Sequence, residues 1–337
     1  MSRRITLRDV AKLAGVSHTT VSLALRNSLS ISGEVRKQIQ ALAAKVGYQP
    51  DPLVVRVMST LRFPKEGSRR LAYVVRYRDN SWKKTPTAGR TFQALLDRAA
   101  ELGYEVDEFR LTDQGMTGRR LSSILFNRSI RGVFISSSSH SHSHTTMDFS
   151  KVSAITFGYS LVRPVLHRVA NHQFHSLLLA MRKLRRFGNR RVGLAMLESI
   201  DARSDHNWSA AKAVFDSQIR ASQRIPVLAM KNETFEEFEQ WFTRNKPDAI
   251  AFISSLVPGW LKKLGVRVPE DVQIATLDRG RNDTAYAGID QNHDVAGSAA
   301  VDLLLGQMYM NECGVPAIPR TVLIEGTWVD GPSAGKR

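Results

Sequence analysis

The sequence predicts two unlike parts, a small all-α headpiece and a larger α/β body built on parallel sheet, and three observations carry that expectation. Residues 6–48 (TLRDVAKLAGVSHTTVSLALRNSLSISGEVRKQIQALAAKVGY) hold three stretches of helical apolar spacing, with a tight turn between the first two. From Leu71 onward, short β-rich runs alternate with helical runs, an order that builds parallel sheets with helices on both faces. The charge is also lopsided: of a net +17, residues 1–62 carry ten Lys/Arg against three Asp/Glu, and residues 63–90 carry eight against two. Thirteen of the 17 excess charges therefore lie in the first 90 residues, beside the three helices, which favours a polyanionic partner there.

In the first helix, Leu7, Val10, Ala11 and Ala14 make one apolar face. Gly15 permits a backbone turn that a Cβ would resist. Ser17 stands where an N-cap belongs. The second helix, about Ser17 to Leu25, should bury Val21, Ala24 and Leu25 and turn His18, Thr19, Ser22 and Leu23 outward. Two helices joined by a short turn, the second offering small polar groups, form the helix-turn-helix arrangement that enters a DNA major groove. Pro50 and Pro52 are expected to stop the third helix. Asp51 and Pro52 can then start a short one whose apolar surface is Leu53, Val54, Val57, Met58 and Leu61. Alone it would be marginal, and an ordinary linker is the alternative. The expected divisions are a headpiece at 1–49, a hinge at 50–63 and a body at 64–337.

The body's first series runs strand 71–77, helix 89–103, strand 104–109, helix 118–127, strand 132–136 and strand 152–158. It restarts after Arg168 with helix 174–187, strand 190–197, helix 207–218, strand 224–230, helix 235–244, strand 248–254, a helix near 260–264 and strand 272–278. Two successive series suggest two similar lobes.

Other features narrow the function class. The single Cys313 excludes an intrachain disulfide and suits a reducing compartment. The start MSRRITLRDV lacks the apolar core of a signal peptide, and no apolar run approaches a membrane span. A cytoplasmic, nucleoid-associated protein is expected. No Gly-rich phosphate loop, nucleophile elbow or zinc motif is present, so neither catalysis nor a cofactor is expected. On a strand, the tract SSSSHSHSH would align His140, His142 and His144, but no acid or Cys completes a metal set there. It reads as a polar loop.

The run RDVAKLAGVSHTTVSLAL, followed by SGEVRKQIQALAAKVGYQP, resembles the DNA-binding headpiece of the lactose-repressor/galactose-repressor (LacI/GalR) family of bacterial transcriptional regulators. Its motif falls on Asp9, Val10, Ala11, Ala14, Gly15, Val16, Ser17, Thr20, Val21 and Ser22. Weaker likenesses follow in FGNRRVGLAM, KPDAIAFISS, GVRVPEDVQIATLD and GIDQN. The resemblance implies a periplasmic-binding-protein-like body of two lobes crossed by three connections, with a small-molecule cleft between them. It implies a homodimer on a pseudo-palindromic operator in double-stranded DNA. His18, Thr19 and Leu23 match the family's base-reading positions, and Thr6, Ser17, Thr20, Ser22 and Asn27 its backbone contacts. Leu53, Val54, Val57 and Met58 fall on a hinge that enters the minor groove, with Val57 where the family usually has Leu as a wedge.

Cleft positions carried over in the same way are Ser136, His140, Asn207, Trp208, Ser254 and Asp278. They depart from the family pattern: Asn207 stands where relatives often have Arg, and Ser254-Ser255 replaces an Asn-Asp pair. Asp278 keeps the first acid of a G-F-D-D segment. Trp208 could stack on a sugar ring or pack in the core. The leading expectation is a repressor tuned by a small molecule such as a carbohydrate. The alternatives are a regulator with a vestigial cleft, controlled by abundance or a protein partner, and, more remotely, a solute-binding or enzymatic protein.

Overall fold

The structure, a computed structural model, describes residues 5–25, 27–28, 30–48 and 69–336. Three helices, α1 (Leu7–Ala14), α2 (His18–Leu25) and α3 (Gly33–Lys45), enclose a core of Val10, Ala11, Val21, Ala24, Ile39 and Ala43. The third helix ends well before Pro50: Tyr48 N–H bonds Ala43 O at 2.9 Å and closes its last turn. The prolines are therefore not what stops it. The expected hinge, with Leu53, Val54, Val57 and Met58, lies outside the described residues, as do both expected domain limits.

The first lobe is built from β1 (Arg70–Val75), α4 (Pro86–Glu101), β2 (Glu105–Arg110), α5 (Gly118–Asn127), β3 (Gly132–Ile135), β4 (Ser143–His144), β5 (Ser153–Phe157), β6 (Leu161–Arg163) and β7 (His167–Asn171). The second holds α6 (Gln173–Arg186), β8 (Val192–Leu197), α7 (Glu198–Arg203), α8 (Asn207–Ser217), β9 (Leu228–Met230), α9 (Phe235–Asn245), β10 (Ala249–Phe252), α10 (Val257–Lys263), β11 (Gln273–Thr276) and β12 (Ala287–Asp290). The chain then returns to the first lobe for α11 (His293–Met310) and β13 (Thr321–Ile324), and ends in the second with β14 (Thr327–Val329).

The first sheet has the order β13-β7-β5-β3-β1-β2 and is parallel throughout. The second, β14-β12-β11-β10-β8-β9, is parallel except at its edge, where β14 runs antiparallel to β12. Both lobes thus have the expected parallel sheets, and among the described residues that edge is the one antiparallel pairing in them. Its cause is the short link from β13, which delivers the chain to the second sheet from the opposite end. Central strands are apolar on both faces, as burial under helices on both sides requires. Cores holding α4 and α11 on one face and α5 on the other sandwich the first sheet. Those of α6 and α8, and of α9 and α10, sandwich the second.

The longest helix among the described residues, α11, is one the hydropathy pattern does not announce. Its residues are apolar on nearly every side, because it is wedged against both the first sheet and α4. Gly297 makes the approach possible: a Cβ there would stand 2.2 Å from the Thr91 carbonyl oxygen on α4. The strand expected over 224–230 is also shorter, confined to Leu228–Met230.

Candidate functional site

The turn between α1 and α2 is fixed by its own residues. Thr6 caps α1, its Oγ1 accepting from Asp9 N–H, and the Asp9 carboxylate accepts from Thr6 N–H at 2.9 Å. This reciprocal capping sets where the helix starts. At the other end Gly15 takes φ 64° and donates its N–H to Ala11 O. A side chain would be disfavoured in that left-handed conformation. Ser17 Oγ then accepts from Thr20 N–H at 3.1 Å, so the expected N-cap forms, with the helix beginning one residue later, at His18.

With Val21 and Ala24 fully buried, His18 and Thr19 stand exposed on the first turn of α2 and Leu23 is half-buried. Ser22 departs from the outward placement expected of it, being 7 % exposed. The reason is that α2 packs against both α1 and α3, so its buried arc is wider than one stripe. Thr6, Ser17 and Asn27 are exposed and Thr20 is half-buried. Gln40 on α3 donates to Ala24 O at 2.9 Å and to Asn27 Oδ1 at 2.8 Å, tying the end of α2 to the third helix. The result is a rigid platform with one short polar edge.

The second region lies where the carboxyl ends of both sheets meet, the place at which open parallel sheets hold ligands. Thr87 and Arg90, on the first turns of α4, reach across it. Thr87 Oγ1 donates to Asp278 Oδ2 at 2.6 Å, and Arg90 pairs with Asp290 across the cleft at 3.1 Å and with Asp294, on the first lobe's own α11, at 2.8 Å. Asp278 Oδ1 also accepts from Nε2 of the buried His293 at 2.6 Å. Burial pushes the Asp278 carboxyl up, but the contacts with His293, Thr87 and Arg90 outweigh it and hold the group below the usual carboxylate range. Arg203 on α7 donates to Ser138 O in the opposite lobe at 3.3 Å.

Of the six expected cleft residues, Asp278 is thus engaged across the cleft. Asn207 is half-buried and donates to Ser204 O at 2.6 Å, and His140 is exposed beside Ser139. Trp208 is 2 % exposed within the second lobe's core, which corrects the stacking role in favour of packing. Ser136 and Ser254 are buried too, their hydroxyls bound to nearby backbone. The histidine tract does not alternate on one strand: His142 takes φ 56° and only Ser143–His144 is extended.

The headpiece matches the sequence profile described as "Bacterial regulatory proteins, lacI family" over residues 6–51. This headpiece belongs to the lacI family. Over 47 residues it is 51% identical to the Probable HTH-type transcriptional repressor ExuR of Bacillus subtilis (strain 168), 14% of either chain. It is 36% identical over 50 residues to the HTH-type transcriptional regulator TreR of Salmonella typhimurium, 15% of this chain and 16% of that one. The matched stretch therefore spans only about a sixth or less of those relatives. Solved structures share the fold over nearly the whole chain. A transcriptional regulator CelR–cellobiose complex superposes with a TM-score of 0.57 at 18% identity, covering 98% of this chain and 100% of that one. The Lac repressor dimer bound to operator and the anti-inducer ONPF gives 0.57 and 18%, covering 98% and 99%.

Outside the lacI-family headpiece, the residues that bridge the cleft were not legible in the sequence, Asp278 excepted. Thr87, Arg90, Asp290 and His293 come from segments 191 to 200 positions apart, apart from the local pairing of His293 with Asp278. Only the TP pair at Thr85-Pro86, an N-cap followed by proline, marks the start of the helix that carries Thr87 and Arg90. The lacI-family motif itself is local, which is why it could be read directly.

Proposed function

We propose that this chain is a sequence-specific, DNA-binding transcriptional regulator, acting as a homodimer on a pseudo-palindromic operator, and not an enzyme. The exposed pair His18–Thr19 on the first turn of α2, backed by buried Val21 and Ala24, carries the reading. It has the shape with which recognition helices address base edges. Leu23 supplies apolar contact, for instance to a thymine methyl. Thr6, Ser17, Thr20 and Asn27 suit phosphates, which fix register without reading sequence, and Ser22 supports the helix from inside. The proposed division is a headpiece to residue 49, a minor-groove hinge over 50–63 carrying Leu53, Val54, Val57 and Met58, and a two-lobed body thereafter.

Control is proposed to come from a small molecule between the lobes, acting through different affinities for their open and closed arrangements. Among the described residues no helix is long and apolar enough to cross a membrane, which fits action on the nucleoid. Selection of random duplex DNA by the full-length protein tests the reading. A two-fold motif supports it, and sequence-independent, salt-sensitive binding alone overturns it. The Thr87–Asp278 and Arg90–Asp290 contacts favour a second reading, in which the lobes hold one another without a ligand. Ligand-shifted melting separates the two.

A further inference from the structure

His172, His175 and Glu325 converge at the segments where the chain crosses between lobes. His172 immediately precedes α6 and His175 lies one turn on, so both imidazoles stand on one side of the helix start, ring centroids 4.8 Å apart. Glu325 arrives from the link between β13 and β14 and divides its carboxylate between them. Oε1 lies 2.7 Å from His172 Nδ1, and Oε2 lies 3.1 Å from His175 Nδ1. One candidate ligand atom from each of the three falls within 4.8 Å of the others. Two imidazoles and one carboxylate make up the donor set of open zinc-type sites.

We infer that His172, His175 and Glu325 bind one divalent transition-metal ion of the zinc class. A tetrahedral ion with bonds of about 2.0–2.2 Å needs donor atoms roughly 3.3–3.5 Å apart. The carboxylate–imidazole spacings are already near that, and the side chains of His175 and Glu325 are 56% and 61% exposed, free to adjust. Water completes the coordination on the exposed side. The ion takes the place of the hydrogens between the rings and the carboxylate: each neutral imidazole then carries its proton on Nε2 and leaves the Nδ1 lone pair free to bind. The positive end of α6 opposes the cation, as do Arg182 and Lys183 farther along the same helix. These oppositions place the affinity below that of a closed structural site.

This site does not depend on the DNA-reading proposal. Untagged, chelator-stripped full-length protein is titrated with Zn²⁺ by calorimetry and with Co²⁺ by visible absorption. One ion per chain is expected, with affinity reduced at least tenfold in His175→Ala and in Glu325→Gln. A triple variant with Ala at 140, 142 and 144 should keep wild-type binding. Three results overturn the assignment: no stoichiometric binding, binding unchanged in both His175→Ala and Glu325→Gln, or binding lost with the histidine tract. Circular dichroism confirms that each variant is folded.

Discussion

Replacing Asp278 with Ala tests whether the contacts across the cleft stabilise the body. His293 is 1% exposed at its side chain, and the substitution removes the carboxylate 2.6 Å from its Nε2. A buried polar group left without its partner costs about 1–3 kcal/mol. Thr87 loses its bond as well, but water reaches it, so that loss adds about 0.5–1 kcal/mol. Together these predict about 1.5–4 kcal/mol, or roughly 3–16 °C in melting temperature for a body of this size. Thr87→Val alone should cost about 1 kcal/mol or less. Combining Asp278→Ala with His293→Leu removes both partners and should recover at least about 1 kcal/mol relative to additivity.

The pH dependence has a definite sign. The folded-state Asp278 carboxyl lies below its ordinary value, so its stabilisation is complete above the unfolded carboxylate pKa of about 3.9 and fades as pH falls through the folded value. The wild-type and Asp278→Ala melting curves should therefore converge in acid. Equal melting at pH 7, strict additivity in the cycle, or a gap that persists unchanged in strong acid would each refute the reasoning.

Three other substitutions probe other levels. Gly15→Val places a β-branched residue at φ 64°, which should cost the headpiece about 1–2 kcal/mol or more and weaken DNA binding while the body's melting stays unchanged. Gly297→Val drives side-chain atoms into α4, where even a Cβ would stand 2.2 Å from Thr91 O. It should destabilise the first lobe by about 1–3 kcal/mol or more, read by urea unfolding. Thr19→Ala should change preference at one base pair per half-site by about 1–3 kcal/mol without altering the rest of the selected motif; an unchanged motif removes Thr19 from base reading.

What the sequence made legible was what short-range pattern encodes. The caps at Thr6 and Ser17, the left-handed turn at Gly15 and the buried Val21 all follow from residues within one or two turns. The main strand and helix order through β11 was partly readable, usually to within a few residues, but the sheet strand β7 and the short β4, β6 and α7 were not read. Ser22 was misplaced because one apolar stripe is a poor guide to a short helix held between two others. The helix α11 was missed because its exposed stripe is itself largely apolar, with Val295 and Met310 on it, so no polar face gives the helix a period. The cleft was the least legible part. The tryptophan aligned to a binding position packs in the core and the two serines are buried with their hydroxyls on backbone, while the side chains that bridge the lobes, Asp278 apart, carry no motif.

The chain's third crossing bears on how the protein is made. The first lobe leaves the ribosome early, yet its edge strand β13 is only 321–324, pairing with β7 at 167–171, and α11 at 293–310 fills its core. Until those residues emerge, β7 offers an open strand edge and α4 an uncovered apolar face, the exposure that invites chaperone capture or self-association. Translation that stops after the second lobe would then yield neither lobe complete, since β14 too comes last.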